Sequence, residues 1–262
     1  MSDASAPVVT LQRLPDHVAL VTLNRPQARN AVNAALAAAL EAIVDETERD
    51  PEIWAVVLTG AGDGVFCAGA DLKEVAAGRA ADLFTMRGGF AGFVYADRSK
   101  PWITAVNGKA LAGGFEIVLA CDLVVASENA AFGLPEVSRG LIAAAGGLYR
   151  LPRVLPRNLA LELVMTGEAL DATRAQHHGL VNRVVPSDQV VAQASALAQR
   201  ITRNAPVAVR ESLRVARSAC DLDESAARVR TRESRDRVAM TEDYKEGPRA
   251  FVEKREPRWQ GK

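Results

Sequence analysis

Cysteine is scarce in this chain of 262 residues, which contains only three. Cys67, Cys121 and Cys220 stand far apart, with no Cys-x-x-Cys pair and no Cys/His spacing typical of a metal site. A scattered, odd-numbered set of this kind favours a reducing compartment and no structural zinc. The sequence therefore predicts a cytoplasmic protein without a structural zinc site.

An excess of either charge sign is also missing, since 32 lysines and arginines balance 32 aspartates and glutamates. The chain as a whole thus offers no electrostatic reason to bind nucleic acid or an acidic membrane surface. The N-terminal stretch "MSDASAPVVT" lacks a basic patch followed by an apolar run, so no signal peptide is expected. No window holds eighteen uninterrupted apolar residues, so no membrane span is expected either.

What the chain does contain is an alternation of short apolar segments with helical patterns. Segments that are rich in β-branched residues and bounded by turn residues predict strands at 18–24, 53–60, 101–108 and 121–127. Between the first two, one helical face is predicted, with Asn30 as its N-cap. That face carries Val32, Leu36, Leu40, Ile43, Val44 and Thr47. Strand, helix and strand in this order predict crossover units and a largely parallel sheet.

The second part of the chain has a different character. After about residue 158 only "GLVNRVV", at 179–185, carries a strand signal, and helical, arginine-rich sequence runs to the end. We therefore expect an α/β fold with a sheet-based core over residues 1–200 and a helical C-terminal region over 201–262. The basic run "RVRTRESRDR" at 228–237 also contains acids, which favours a solvated or subunit-contact helix over a nucleic-acid site.

Three glycines, Gly60, Gly62 and Gly64, follow one predicted strand in "WAVVLTGAGDG". A phosphate-binding turn is one interpretation of this spacing. However, Val65 stands where the dinucleotide fingerprint needs its third glycine, and no "GK[ST]" motif exists. A plain strand-to-loop turn is therefore favoured.

Two glutamates stand in unusual surroundings. Glu116 lies in "AVNGKALAGGFEIVLACDLV", on an apolar helical segment where burying an ionised carboxylate is costly, so the residue either has a special role, points to solvent or pairs with an arginine. Glu136 directly follows Pro135 in "AAFGLPEVSRGL", at a predicted loop-to-helix junction. Taken alone, Glu136 is better explained as an ordinary acid that a helix dipole favours.

Several ordered blocks together resemble the crotonase superfamily, also called the enoyl-CoA hydratase/isomerase superfamily. They are "VTLNRPQARNAVN", "FCAGADLKE", "AVNGKALAGGFEIVLACDLVVAS", "AFGLPEVSRGL", "AGGLYRLPR" and "EGPRAFVEKREPRWQGK". The last block and "GGFAGF" at 88–93 are similar to carnitinyl-CoA dehydratases and related hydratases. The resemblance implies a ββα-repeat spiral core followed by a helical C-terminal region.

The resemblance also implies the chemistry, which is addition of water to an α,β-unsaturated acyl-CoA thioester, or its removal from a 3-hydroxyacyl thioester. The backbone N–H groups of Ala70 and Gly113 would form the oxyanion hole. Glu116 would activate the water, and Glu136 would exchange the proton at Cα. Double-bond isomerisation, or another enolate reaction, is a second hypothesis, and a non-catalytic RNA-binding or scaffold relative is a third.

Coenzyme A is implied as the substrate's carrier, with no separate cofactor and no metal. The residues that the resemblance places near it are Ala28, Arg29, Ala68, Asp71, Leu72, Lys73, Phe251 and Lys254. For Phe251 and Lys254, helix packing and a solvated lysine explain the pattern equally well. Homotrimers or homohexamers are implied as the assembly.

The sequence departs from the commoner hydratase pattern in two places. Ala112 replaces the first glycine of a Gly-Gly-Gly run, and "LIAAAGG", at 141–147, replaces a loop that carries proline and glycine. Both sites line the acyl pocket in the family, so the chain length and shape of the acyl group stay open.

Overall fold

The computed structural model describes residues 6–262, so the first five residues of the predicted core lie outside it. Within this range the chain is a mixed α/β fold. Its strands are β1 Val9–Leu14, β2 Val18–Leu23, β3 Ala55–Gly60, β4 Gly64–Cys67, β5 Phe84–Thr85, β6 Gly89–Phe90, β7 Trp102–Val106, β8 Gly108–Leu111, β9 Leu123–Ser127, β10 Ala131–Gly133, β11 Ala169–Asp171 and β12 Arg183–Val185. Its α-helices are α1 Ala34–Arg49, α2 Leu72–Ala76, α3 Gly113–Leu119, α4 Gly147–Val154, α5 Arg157–Thr166, α6 Ala172–His177, α7 Val190–Thr202, α8 Pro206–Arg217, α9 Glu224–Ala239 and α10 Glu242–Glu253.

The larger sheet has six strands in the order β1-β2-β3-β7-β9-β12. Only β1 and β2 pair antiparallel, and the remaining neighbours are parallel. Every residue of β3 and β7 is buried, which fits the continuous apolar runs typical of strands covered on both faces. The predicted parallel sheet is confirmed, and the four strands expected from the sequence all belong to it.

The smaller sheet runs in the order β11-β10-β8-β4, and its strands are three or four residues long. The pairs β4–β8 and β8–β10 are parallel, and the β4–β8 register shifts between Val65 and Cys67. The strands predicted from the sequence do not include β8, β10 and β11. Strands this short lack the alternating pattern that identifies a strand from sequence alone.

Helix α1 begins later than predicted. Its N-cap is Asn33, whose side chain accepts a hydrogen bond from the Leu36 N–H at 3.0 Å. The assignment of Asn30 as N-cap was therefore wrong. Val32, counted on the helical face, precedes the helix and pairs with Ala70 in an isolated parallel bridge. The other predicted positions of that face are all buried in α1.

The hydrophobic core lies mainly between the two sheets and helices α1, α3, α4 and α5. A second apolar cluster lies on the opposite face of the larger sheet, where α7 packs against β3 and β7. Helix α7 crosses residue 200, the predicted end of the core region. The division of the chain at that point stays a prediction.

Helices α8, α9 and α10 form the expected helical C-terminal region, where α8 packs on α9. Residues 255–262 then return along α10. Asp243 accepts hydrogen bonds from the N–H groups of Gln260 and Gly261, at 2.7 and 2.9 Å, and Glu246 accepts one from Arg258 at 2.8 Å. Within residues 6–262, no helix is both long and apolar enough to cross a membrane.

Candidate active site

The predicted site residues follow three neighbouring strands of the smaller sheet. Ala70 comes three residues after β4, Gly113 two residues after β8, and Glu136 three residues after β10. Because these strands are parallel, their carboxyl ends meet at one edge of the sheet. Ligands in open α/β sheets commonly bind outside this edge. The topology thus brings together residues that are 66 positions apart in the chain.

Close backbone approaches join the loop after β4 to the start of α3. A Cβ atom added to Gly69 would lie 2.9 Å from the Gly113 N atom and 3.0 Å from the Leu111 carbonyl oxygen. A Cβ atom on Gly114 would overlap the Cys67 carbonyl oxygen. Gly69 also has a φ of 89°, which favours glycine over other residues. The bare backbone in "AGAD" and "AGGFE" is therefore required by the contact between these two segments.

The N–H groups of the loop 68–71 have partners at every position except one. Ala68 donates to the Arg29 carbonyl at 3.1 Å, and Asp71 donates to the Val32 carbonyl at 2.9 Å. The Gly69 N–H donates to the Cys67 Sγ atom at 3.4 Å. Among the described residues, the Ala70 N–H has no acceptor.

Gly113 is the first residue of α3, where backbone N–H groups lack partners inside the helix. Its N–H also has no acceptor within residues 6–262. The two N–H groups that the resemblance assigns to an oxyanion hole are thus both available to bind an oxygen atom from outside the chain. The positive end of the α3 dipole lies at one of them.

Glu116 lies one turn into α3 and is only 3% exposed. Its Oε1 atom accepts a hydrogen bond from the Gly147 N–H at 2.8 Å. Burial raises the pKa of this carboxyl from 4.5 to about 7, and the nearby charge of Glu136 also raises it, whereas the Gly147 hydrogen bond opposes the shift. The expectation that Glu116 points to solvent or pairs with an arginine is wrong.

Glu136 lies in a 3₁₀ helix at Pro135–Arg139, at the loop-to-helix junction that the sequence predicts. Its side chain is buried, and burial raises its pKa. The Oε2 atom is shielded from solvent and has no hydrogen-bond partner within the described residues. Such an atom is costly to leave unpaired, so it is suited to contact a ligand.

Ala112, the residue that departs from the glycine run, adopts a conformation that favours glycine. Its φ is 51° and its ψ is −131°. A residue with a Cβ atom is strained here by about 1–3 kcal/mol. The departure therefore leaves the two N–H groups in place at the cost of backbone strain.

The segment Gly60–Gly64 is a turn that joins β3 to β4. This agrees with the plain strand-to-loop turn that the sequence favours. Asn30 is buried beneath it, and its Nδ2 atom donates to the carbonyls of Ala61 and Phe66 at 2.9 and 3.0 Å. Asn107 donates to the carbonyls of Gly60 and Gly62 at 2.9 and 2.8 Å. Asn30 thus braces this turn and does not cap α1.

The predicted coenzyme A contacts around α2 lie together at the surface beside Ala70. Asp71 is the N-cap of α2 and pairs with Arg25, Nη2 to Oδ2, at 3.1 Å. Arg29 and Lys73 are exposed, and neither forms an ion pair within the described residues. Leu72 is also exposed, whereas Ala28 and Ala68 are half-buried. This group offers two free cationic side chains next to the site.

Phe251 and Lys254 lie at the end of α10, in the C-terminal region. Phe251 is 84% exposed, so packing within its own chain does not explain it. No hydrogen bond or ion pair among the described residues joins either side chain to the loops after β4 and β8. Contact of these two residues with coenzyme A stays a prediction.

Sequence reasoning missed three residues that shape the site. They are Gly147, whose N–H holds Glu116, Cys67, whose sulfur accepts the Gly69 N–H and donates to the Asn30 carbonyl, and Arg150, which follows Gly147 by one turn. The blocks "FCAGADLKE" and "AGGLYRLPR" contain these residues, but the resemblance assigns them no role. Their roles depend on contacts between distant segments, which no local pattern reveals.

The structure also contains a cavity of about 630 Å³. It is lined by the β1–β2 turn, the end of α7 and the C-terminal tail, and none of the predicted site residues contributes to it. The candidate site is identified instead by its buried carboxylates and by N–H groups that lack partners among the described residues. Within residues 6–262, no three His, Cys, Asp or Glu side chains are grouped to hold a metal ion.

Comparisons with known proteins agree with this arrangement. Residues 13–262 match the family described as "Enoyl-CoA hydratase/isomerase". The chain is 42% identical to the mevalonyl-coenzyme A hydratase of Aspergillus fumigatus, over 93% of this chain and 91% of that protein. It is 40% identical to a carnitinyl-CoA dehydratase of Salmonella heidelberg, over 92% and 94% of the two chains.

Among solved structures, an enoyl-CoA hydratase of Mycobacterium tuberculosis is similar, with a TM-score of 0.93 and 41% identity, over 98% of this chain and 100% of that one. The fold is therefore that of the crotonase class. The chain belongs to the enoyl-CoA hydratase/isomerase family.

Proposed function

We propose that this protein is a hydro-lyase that adds water to an α,β-unsaturated acyl-CoA thioester, or removes water from a 3-hydroxyacyl-CoA. The observation that carries the proposal is the convergence of two unpaired N–H groups with two buried glutamates at one sheet edge. The names of its relatives, which are hydratases and a dehydratase of CoA thioesters, support the same reaction class.

The N–H groups of Ala70 and Gly113 bind the thioester oxygen. As water adds to Cβ, negative charge moves onto this oxygen, and the two fixed donors stabilise the resulting enolate. Losing one such donor typically costs about 3–4 kcal/mol of barrier. Both donors belong to the main chain, so the site tolerates side-chain changes at these positions better than changes in backbone path.

The two glutamates divide the proton transfers. Glu116, in its ionised form, takes a proton from the attacking water as the oxygen bonds to Cβ, and Glu136, in its protonated form, delivers a proton to Cα. Dehydration reverses both steps. Burial raises the pKa of each carboxyl, and the pKa of about 7 for Glu116 suits a group that must gain and lose a proton near neutral pH.

The coenzyme A part of the substrate contacts the surface around α2, where Arg29 and Lys73 meet its phosphates. Phe251 and Lys254 are assigned to the same ligand. Phe251 is 84% exposed in its own chain, so it is available for a contact with coenzyme A across a subunit boundary of the proposed homotrimer or homohexamer. The proposed reaction uses no cofactor other than the thioester substrate itself.

The test of this function uses crotonyl-CoA, longer enoyl-CoAs and the CoA thioesters named for the relatives, followed by absorbance and mass. Glu116→Gln and Glu136→Gln should each lower kcat by at least ~10²-fold, the usual scale of general acid–base catalysis. Neither change should greatly weaken thioester binding, because the N–H groups and the coenzyme A contacts remain.

Exchange of α-hydrogens with deuterium oxide, measured on a saturated acyl-CoA, separates the two roles. We expect Glu116→Gln to retain exchange and Glu136→Gln to lose it. Exchange that survives only in Glu136→Gln would mean that the roles are reversed. Hydration that is unaffected by either change would eliminate the two-glutamate mechanism.

A further inference from the structure

Arg150 connects two segments of the chain, one before Glu116 in the sequence and one after it. Its Nη2 atom donates to the Val94 carbonyl at 2.6 Å, and its Nη1 atom donates to the Ala145 carbonyl at 3.3 Å. Tyr95 strengthens the same connection, since its hydroxyl donates to the Ala144 carbonyl at 3.1 Å. These three hydrogen bonds hold the segment 144–145 against the segment 94–95.

The loop held in this way leads directly into the residue that contacts Glu116. Gly146 has a φ of 111°, and a Cβ atom added to it would overlap the Arg150 guanidinium. Gly147 follows, and its N–H donates to Glu116 Oε1 at 2.8 Å. A Cβ atom on Gly147 would lie 3.1 Å from that oxygen and 3.0 Å from Leu134. The loop 144–147 therefore has little freedom, and its position decides where the Glu116 carboxylate lies.

Arg150 also carries a charge that no carboxylate in the described part of the chain neutralises by an ion pair. Its guanidinium carbon lies 5.6 Å from the centre of the Tyr95 ring and 5.4 Å from that of the Tyr149 ring, so it stacks near two aromatic faces. The charged or titratable groups that act on Glu116 are Glu136, Arg150 and Tyr95. Arg150 is the one cation among them, and it favours the ionised form of Glu116.

We propose that Arg150 is the positioning residue for Glu116: it clamps the loop 144–147 so that the Gly147 N–H meets the carboxylate that activates water. Arg150 acts through the loop and contacts no substrate. The proposal rests on the function proposed above, because it assigns Glu116 the role of base. It explains why a guanidinium, which can donate to two carbonyls at once, stands at this position.

The test compares Arg150→Met and Arg150→Lys with Arg153→Met in hydration of crotonyl-CoA. Arg153 is a matched control on the same helix, where it pairs with Asp221 at 2.8 Å and, among the described residues, forms no hydrogen bond with the loop 144–147. We expect Arg150→Met to lower kcat by about 10–10²-fold, the scale of a misplaced catalytic group, with a KM change of less than about threefold. Arg153→Met should change neither constant by more than about twofold.

The pH profile separates positioning from a general effect on folding. Removing the cation should raise the pKa of Glu116, so the rise of kcat with pH should move to higher pH in Arg150→Met. Arg150→Lys keeps the charge but not the two-carbonyl clamp, so its profile should stay near that of the wild type while its kcat stays reduced. This variant also keeps the test decisive if Arg150→Met does not fold.

A double variant shows whether the effect passes through Glu116. In the Glu116→Gln background, Arg150→Met should lower the remaining activity by less than about twofold. An Arg150→Met variant that matches Arg153→Met in kcat, or that shifts KM and thermal stability but not the pH profile, would overturn the proposal, as would an Arg150→Lys variant with the kcat of the wild type. If Glu116→Gln itself retained full activity, the proposed function would fail instead, which distinguishes the two outcomes.

Discussion

Glu116 and Glu246 are two buried glutamates of the same chain with opposite electrostatics. They are 3% and 6% exposed, respectively. Burial raises the pKa of Glu116, although backbone N–H groups, chiefly that of Gly147, oppose the shift. In the C-terminal region, hydrogen bonds from Arg255, with further ones from the Arg258 N–H and Arg249, hold the pKa of Glu246 well below its usual range.

The comparison shows that partners decide what a buried carboxylate does. Glu246 is fully supplied with donors and fastens the C-terminal tail to α10, whereas Glu116 is left with an incomplete set. A group with few partners is poorly stabilised as an anion, and this is the property that a base working near pH 7 requires. The site consists of main-chain donors and underpaired carboxylates, while the C-terminal region consists of paired side chains.

The strongest test of this contrast removes one main-chain donor from the site. A simple Gly113→Pro change is ambiguous, because any Cβ atom at this position would overlap the Phe90 ring. We therefore predict the result in a Phe90→Ala background, which makes room for the new atom. There, Gly113→Pro should lower kcat by about 10²–10³-fold relative to Gly113→Ala, since only proline lacks the N–H.

The two double variants both carry a Cβ atom at position 113, so they differ mainly in the donor. Steady-state kinetics with crotonyl-CoA and near-ultraviolet circular dichroism measure activity and folding. Equal turnover in both folded variants would contradict the assignment of Gly113 to the oxyanion hole.

The second prediction concerns stability across pH. The pKa of Glu116 is raised from about 4.5 to about 7 on folding, so its ionisation destabilises the folded state as pH rises through this window, by on the order of 3 kcal/mol. Glu116→Gln should therefore be more stable than the wild type at pH 8, with the difference shrinking toward pH 5. Urea unfolding at several pH values measures this.

Glu246→Gln should show the opposite sign in the same measurement. Because the pKa of Glu246 is lowered on folding, its contribution is fully present above about pH 4.5 and is lost as pH falls through the folded-state pKa. The variant should be less stable than the wild type by a constant amount between pH 5 and 8, with kcat unchanged at saturating substrate. A loss of stability in both variants would show that the two carboxylates are alike.

The smallest expected effect concerns the strained residue at the start of α3. Ala112→Gly should raise the free energy of unfolding by about 1 kcal/mol, because glycine adopts a φ of 51° and a ψ of −131° without strain. Ala120→Gly is the matched control, since Ala120 ends the same helix with a φ of −85° and should lose stability instead. Chemical denaturation of the two variants tests whether the strain is real. A lower free energy of unfolding in Ala112→Gly would show that the backbone at residue 112 is not strained.

Much of the larger sheet is predictable from sequence, because its strands are continuous apolar runs with clear turn residues at their ends. The same holds for α1, apart from its first turn, where two asparagines three residues apart compete as N-cap. Asn33 is the N-cap, because the side chain of Asn30 donates hydrogen bonds to the β3–β4 turn instead. The short strands β8, β10 and β11 are set by pairing with neighbours, which no local pattern reveals.

The sequence by itself determined the family, the α/β class and the identity of the candidate groups, because ordered motifs survive as local patterns of glycine, glutamate and apolar residues. Only the tertiary structure decided that Ala70 and Gly113 have N–H groups without acceptors among the described residues, that Glu116 is buried against Gly147, and that Arg150 donates to the carbonyls of Val94 and Ala145. These properties depend on which donors and acceptors meet across segments distant in the chain. Folding determines which donors and acceptors pair and which side chains are buried, whereas the sequence determines only which groups are present.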